Sequence, residues 1–156
     1  KLSHRIRGIP MNAADILKNK GSKVVTIQSI CEVKKAIHQL VNESVGSLVV
    51  MDEHNKVVGV LTERDILKAS DRCFDCLKDL KVSDLMSSEV IIGLPDQSVD
   101  TLMGLMTDKH IRHLPIMDSG RLAGLLSIGD LVKARAQRTE VEIYYLKDYI
   151  ADKYPG

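Results

Sequence analysis

Shifted by 66 residues, the chain lies on itself: Val24 falls on Val90, Val33 on Val99, Leu48 on Leu114, Met51 on Met117 and Asp52 on Asp118. One residue then drops out where Asp52-Glu-His-Asn-Lys56 meets the shorter Asp118-Ser-Gly-Arg121, and the shift becomes 65, with Gly59 on Gly124, Leu61 on Leu126 and Asp65 on Asp130. A self-match at fixed period constrains the fold before any local motif does, because each copy must be the same supersecondary unit. The dropped residue sits between two apolar runs, where a surface turn tolerates a change of length.

Each copy carries the same succession of patterns. Met11 to Leu17 and Val82 to Met86 read as short helices, and Lys23 to Ile27 and Val90 to Gly93 as short β-rich strands. Val33, Ala36, Ile37, Leu40 and Val41 recur at helical spacing, as do Val99, Leu102, Met103 and Met106. Ser47 to Met51 and His113 to Met117 are apolar runs of strand length. Each meets a turn signal and a second strand, Val57 to Leu61 or Leu122 to Leu126. Helices from Thr62 to about Ser70 and from Ser127 onward complete the units. The pattern is α/β, a β-α-β-β-α unit written twice, with helices covering the sheets. It divides the chain into a first repeat over 8–72, a second over 80–136 and a C-terminal helical extension over 137–156.

From Ile128 to Tyr154 no proline occurs, and the only glycine is Gly129 in the first turn. Val132, Ala136, Thr139, Ile143, Leu146 and Ile150 step by 4, 3, 4, 3 and 4, a heptad-like stripe on a helix of about 40 Å. A helix that long outruns a repeat of this size, so the stripe is expected to meet a partner subunit; packing on the chain's own domain is the alternative.

The repeat also duplicates a small polar motif. Gly59-Val-Leu-Thr-Glu-Arg-Asp65 and Gly124-Leu-Leu-Ser-Ile-Gly-Asp130 both run an apolar strand into a hydroxyl, with an aspartate three residues on. Taken singly this is a helix capping pattern. Its recurrence at equivalent places suggests binding as well. The glycine would admit a ligand, the carboxylate would accept ribose hydroxyls, and the hydroxyl with the helix-start N–H groups would take a phosphate. Arg64 lies inside the first motif, and His110-Ile-Arg-His113 precedes the second copy's central strand, so Arg112 and His113 offer counter-charge. The same slots of copy one hold Gly46 and Ser47, and Lys20 precedes the first strand.

Several classes find no support. Net charge is +1, with 22 Lys and Arg against 21 Asp and Glu, so no field marks a nucleic-acid or anionic-membrane binder. No apolar run approaches a membrane span, and no secretory core is visible. Lys1 to Arg7 is basic and free of acidic residues, an ordinary tail or the stub of a trimmed organelle presequence. Cys31, Cys73 and Cys76 are odd in number without secretory context, so reduced thiols are expected. Cys73-Phe-Asp-Cys76 has no second pair to complete a zinc site. There is no nucleophile elbow or P-loop, and His4, His38, His54, His110 and His113 lack partners at telling spacing, so no catalysis is expected.

Together Val45-Gly-Ser-Leu-Val-Val-Met-Asp52, Gly59 to Asp65, Ile111-Arg-His-Leu-Pro-Ile-Met-Asp118 and Gly124 to Asp130 resemble a cystathionine-β-synthase (CBS) domain pair, or Bateman module, over about residues 11 to 136. The ending Tyr145 to Pro155 is similar to the tails of small stand-alone bacterial and plant organellar members. The resemblance implies two pseudo-symmetric clefts between the copies that bind AMP, ADP, ATP, NAD or S-adenosylmethionine, with no metal. It places Asp130 and Ser127 at ribose and phosphate in one cleft with Val25 at the base, and Asp65 and Thr62 in the other with Ile91. It puts Arg112 and His113 at phosphates and Gly46 against the ligand. It further implies a homodimer signalling to a regulated protein partner, in the cytoplasm or in the mitochondrial matrix of a eukaryote. Appendage to a larger enzyme or transporter, and a ligand-free scaffold, are the alternatives.

Overall fold

A computed structural model describes residues 9–21 and 23–153; the basic tail Lys1 to Arg7, and Tyr154 and Pro155, lie outside them. The elements follow the order α1 (Ala13–Lys20), β1 (Thr26–Gln28), α2 (Val33–Asn42), β2 (Ser47–Met51), β3 (Val57–Thr62), α3 (Glu63–Arg72), a 3-10 helix (Phe74–Asp79), α4 (Val82–Leu85), α5 (Val99–Lys109), β4 (His113–Asp118), β5 (Arg121–Ser127) and α6 (Ile128–Lys153). The mixed α/β duplication read from the sequence is present, with its long final helix.

The compact units do not follow the sequence repeats. Residues 23–92 and 119–122 form one, while 9–21, 93–118 and 123–153 form the other. The opening helix α1 of the first copy thus belongs with the strands of the second. In that unit Ala13 and Ala14 donate to the carbonyls of Gln97 and Pro95, and Val99 donates to Met11. Helix α4 belongs with the strands of the first copy: Val82 donates to Cys31, and Ser87 exchanges two backbone hydrogen bonds with Val60.

In the unit of residues 23–92 the sheet order is β1-β2-β3. β1 runs parallel to β2, with Thr26 opposite Val49, and β3 runs antiparallel to it, with Ser47 opposite Thr62. Ile27, Ala36, Leu40, Leu48, Val50, Leu61 and Val82 form the core. Helix α2 buries Val33, Ala36 and Leu40, but Ile37 and Val41, which share its period, are exposed. The β2–β3 turn is tied by Asp52, whose Oδ1 accepts the His54 and Lys56 N–H groups. The N–H of Lys56 holds this carboxyl below its ordinary value.

β4 pairs with β5 through Ser119 and Gly120, both at positive φ as a two-residue hairpin turn of the primed type requires. The expected strand Val90 to Gly93 shrinks to one parallel bridge, Gly93 to Ile116. Proline is the reason. Val49 N–H donates to Val25 O in the first copy, and the 66-residue shift puts Pro115, which has no N–H, in the place of Val49. Only the bonds through Gly93, with Pro115 O and Met117 N–H, survive.

The cysteines depart from expectation. Cys73 and Cys76 form a disulfide, because the 3-10 turn brings their Cα atoms to 5.3 Å, within bonding range; Cys31 stays free and half-buried. The bridge closes a loop of separation 3, so reduction is expected to lower the unfolding free energy by no more than about 2 kcal/mol. Urea midpoints with and without reductant, at unchanged slope, check this; unfolding on reduction would contradict it.

Candidate functional site

In each unit the duplicated motif forms a junction where a strand turns into a helix. At the end of β3, Thr62 caps α3: its Oγ1 accepts the Asp65 N–H at 3.3 Å, and Asp65 Oδ2 accepts the Thr62 N–H and hydroxyl, both at 2.9 Å. Glu63 N–H donates to Gly46 O at 3.0 Å, which fastens the start of β2 beside the cap. Thr62, Asp65 and Gly46 are therefore brought together. Arg64 is exposed on the first turn of α3. Val25 packs on the core of the same unit, and Ile91 belongs to it half-buried.

At the end of β5 the pattern repeats. Ser127 Oγ accepts the Asp130 N–H at 3.1 Å, and Asp130 Oδ2 accepts the Ser127 N–H at 2.8 Å. Ile128 N–H donates to Arg112 O at 2.9 Å, the counterpart of the Glu63–Gly46 bond, so Arg112 holds its expected slot with its side chain exposed and His113 opens β4. Val25, assigned beside Asp130 by resemblance, belongs to the unit of residues 23–92.

The two junctions differ in one cation. Lys20, at the end of α1, sends its Nζ to Asp130 Oδ2 at 2.6 Å and to Leu125 O at 2.8 Å. No spacing rule could have paired residues 110 apart. Partial burial pushes the Asp130 carboxyl up, but the Lys20 ammonium and the Ser127 N–H outweigh it and hold it below the ordinary carboxylate value. A depressed folded pKa stabilises the fold above the unfolded carboxylate pKa of about 3.9. The contribution is lost as pH falls through the lower folded value. The NMR titration of Asp130 is thus expected below the ordinary carboxylate midpoint and to move up in Lys20→Met; no movement would show that the ion pair is not formed in solution.

Both carboxylates cap their helices through Oδ2; Oδ1, which the caps do not use, has two lone pairs, enough to accept both hydroxyls of a diol. The motif glycines do something other than expected. A Cβ at Gly59 would lie 2.5 Å from Met86 Sδ and 2.9 Å from Ser87 O, and one at Gly124 would lie against Leu17 Cδ2. The close approach these glycines admit is that of the chain itself. Among the described residues no group of three or more His, Cys, Asp or Glu could hold a metal, and no helix is long and apolar enough to cross a membrane.

This is a duplicated α/β fold with one hydroxyl–carboxylate junction per copy. The CBS domain profile matches residues 13–72 and 82–137, and the chain belongs to the CBS domain family as a CBS-domain pair. It is 33% identical over 149 residues to the mitochondrial CBS domain-containing protein CBSX3 of Arabidopsis thaliana, covering 90% of this chain and 72% of that one. A CBS-domain containing protein of Agrobacterium tumefaciens superposes with TM-score 0.79 at 36% identity, over 83% of this chain and 96% of the other. The CBS domain pair of protein MJ0100, solved in complex with 5-methylthioadenosine and S-adenosyl-L-methionine, superposes with TM-score 0.71 at 26% identity, over 83% of this chain and 99% of that one.

Proposed function

We propose that this chain is a regulatory module that binds an adenosyl compound (AMP, ADP, ATP, NAD or S-adenosylmethionine) and performs no catalysis of its own. One observation carries the reading: the same hydroxyl–carboxylate junction is built twice, each time with Oδ2 engaged in the cap. That leaves Oδ1 for sugar hydroxyls. The likeness to the MJ0100 domain pair, whose complex holds two adenosyl ligands, supports it. Thr62, Arg64, Asp65 and Gly46, with Ile91 at the base, would serve one ligand, and Ser127, Asp130, Lys20, Arg112 and His113 another. Differential affinity for two arrangements of the chain would then bias a homodimer or partner interface, in the cytoplasm or mitochondrial matrix.

The scaffold reading has one observation in its favour, since Lys20 already neutralises Asp130. A thermal-shift screen separates the two. A ligand at 100 times its Kd is expected to stabilise the fold by about 2.7 kcal/mol, whereas no shift with any adenine nucleotide or S-adenosylmethionine leaves the scaffold.

A further inference from the structure

The first turns of α6 are buried on one side only. Leu131 and Ala134 are in the core of their unit, while Val132 between them is 52% exposed. At 100° per residue the stripe that begins with Val132 is centred about 130° round the helix from the Leu131–Ala134 face. It continues through Ile143, Leu146 and Ile150, exposed by 46, 61 and 57%. The stripe therefore faces away from its own unit, and the alternative that it packs there is set aside.

The stripe also carries instructions for a partner. With Val132, Thr139 and Leu146 at d, the a positions are Ala136, Ile143 and Ile150. Isoleucine at a with leucine at d, the pattern of Ile143, Leu146 and Ile150, favours two parallel strands. Parallel pairing in register sets each g residue against the e residue five places on in the other helix. These pairs are Arg135 with Glu140 and Glu142 with Lys147, both of opposite charge. An antiparallel pair centred on Leu146 would instead face Lys147 with its own copy. Arg135 is already engaged by Asp100 at 2.8 Å, so Glu142 and Lys147 carry more of this preference. Glu142 uses Oε1 for Arg138, which leaves Oε2 for the lysine.

The geometry points to a second copy of this chain as the occupant of the stripe, with the two α6 helices forming a parallel, in-register coiled coil. The occupant is set by self-complementarity: the seam matches itself in period and in charge. A stripe of under three heptads associates weakly alone, so the test traps the pair covalently. Leu146→Cys and Thr139→Cys are each made in the full-length chain carrying Cys31→Ala, Cys73→Ser and Cys76→Ser, with Asp148→Cys on the outer face as control. Under mild oxidation both d-position variants are expected to give several-fold more reducible dimer than the control, and Glu142→Lys added to either is expected to cut the yield, with recovery on adding Lys147→Glu. Cross-linking of Leu146→Cys alone would show an antiparallel pair and overturn the orientation. Yields no higher than the control for both would remove the second copy from this face, and circular dichroism melts of each variant confirm that the chain remains folded.

Discussion

Valine at Gly59 is expected to remove a large part of the folding free energy. The position requires no unusual backbone; it requires space. A Cβ there would meet the Met86 sulfur, which can swing, and the Ser87 carbonyl oxygen, which cannot without moving the backbone. That backbone exchanges two hydrogen bonds with Val60, at 3.0 and 3.1 Å, and so fastens the segment after α4 to the outer edge of β3. Overpacking costs about 1–3 kcal/mol, and two hydrogen bonds stretched or lost add about 1 kcal/mol each. The sum, about 3–5 kcal/mol, is a substantial share of the roughly 5–15 kcal/mol that stabilises a typical domain. Gly124 provides the contrast. Its neighbours are the branches of Leu17 alone, so Gly124→Ala should cost only about 1–2 kcal/mol, and Leu17→Ala should soften the effect of valine there. Urea midpoints for the four variants read this ordering. Equal costs at Gly59 and Gly124 would mean that the Ser87 backbone yields as freely as a leucine side chain.

These glycines also mark the limit of what the chain discloses as a string. The duplication, the paired strands β2 and β3, and both polar caps were legible, because each is written within a few neighbouring residues. The cap at Thr62 and Asp65 spans three positions, and the strand bounds Ser47 and Met51 coincide with the apolar run. What a glycine makes room for lies far off in sequence: Leu17 for Gly124, Met86 and Ser87 for Gly59. A ligand was therefore expected where the chain itself sits. The loss of the strand at Val90 to Gly93 was written in the sequence, since Pro115 stands where the first copy has Val49, but it shows only when the repeat is read as a hydrogen-bond register. The exchange of α1 and α4 between the copies' strands was not legible. Apolar periodicity tells a helix which face to bury, not which neighbour will cover it.

Loss of either aspartate should abolish the binding contribution of its own junction while leaving the chain folded. Asp65→Ala and Asp130→Ala each delete a cap, at about 1 kcal/mol of stability. They also delete the Oδ1 acceptor, and removing a charged hydrogen-bond partner from a ribose is worth about 2–3 kcal/mol, or roughly 30- to 150-fold in affinity. Calorimetry with AMP and with adenosine reads both effects, and a melt on each variant separates loss of fold from loss of site. Lys20 decides how the two junctions should differ. In the free chain its ammonium lies 2.6 Å from Asp130 Oδ2, so a ligand at this junction must either share that cation or displace it. A phosphate would take the cation over as counter-charge, whereas an uncharged nucleoside would gain nothing from it and would compete with it for the carboxylate. Lys20→Met is thus expected to weaken AMP by roughly 10- to 150-fold at the Asp130 junction, a charged hydrogen bond being worth about 1.5–3 kcal/mol, while leaving adenosine unchanged or tighter. At the Asp65 junction, where no lysine among the described residues reaches the carboxylate, neither ligand should respond. If Lys20→Met weakens AMP and adenosine equally, the lysine is bracing the junction rather than reading the phosphate, and the preference for charged ligands must come from Arg112 instead.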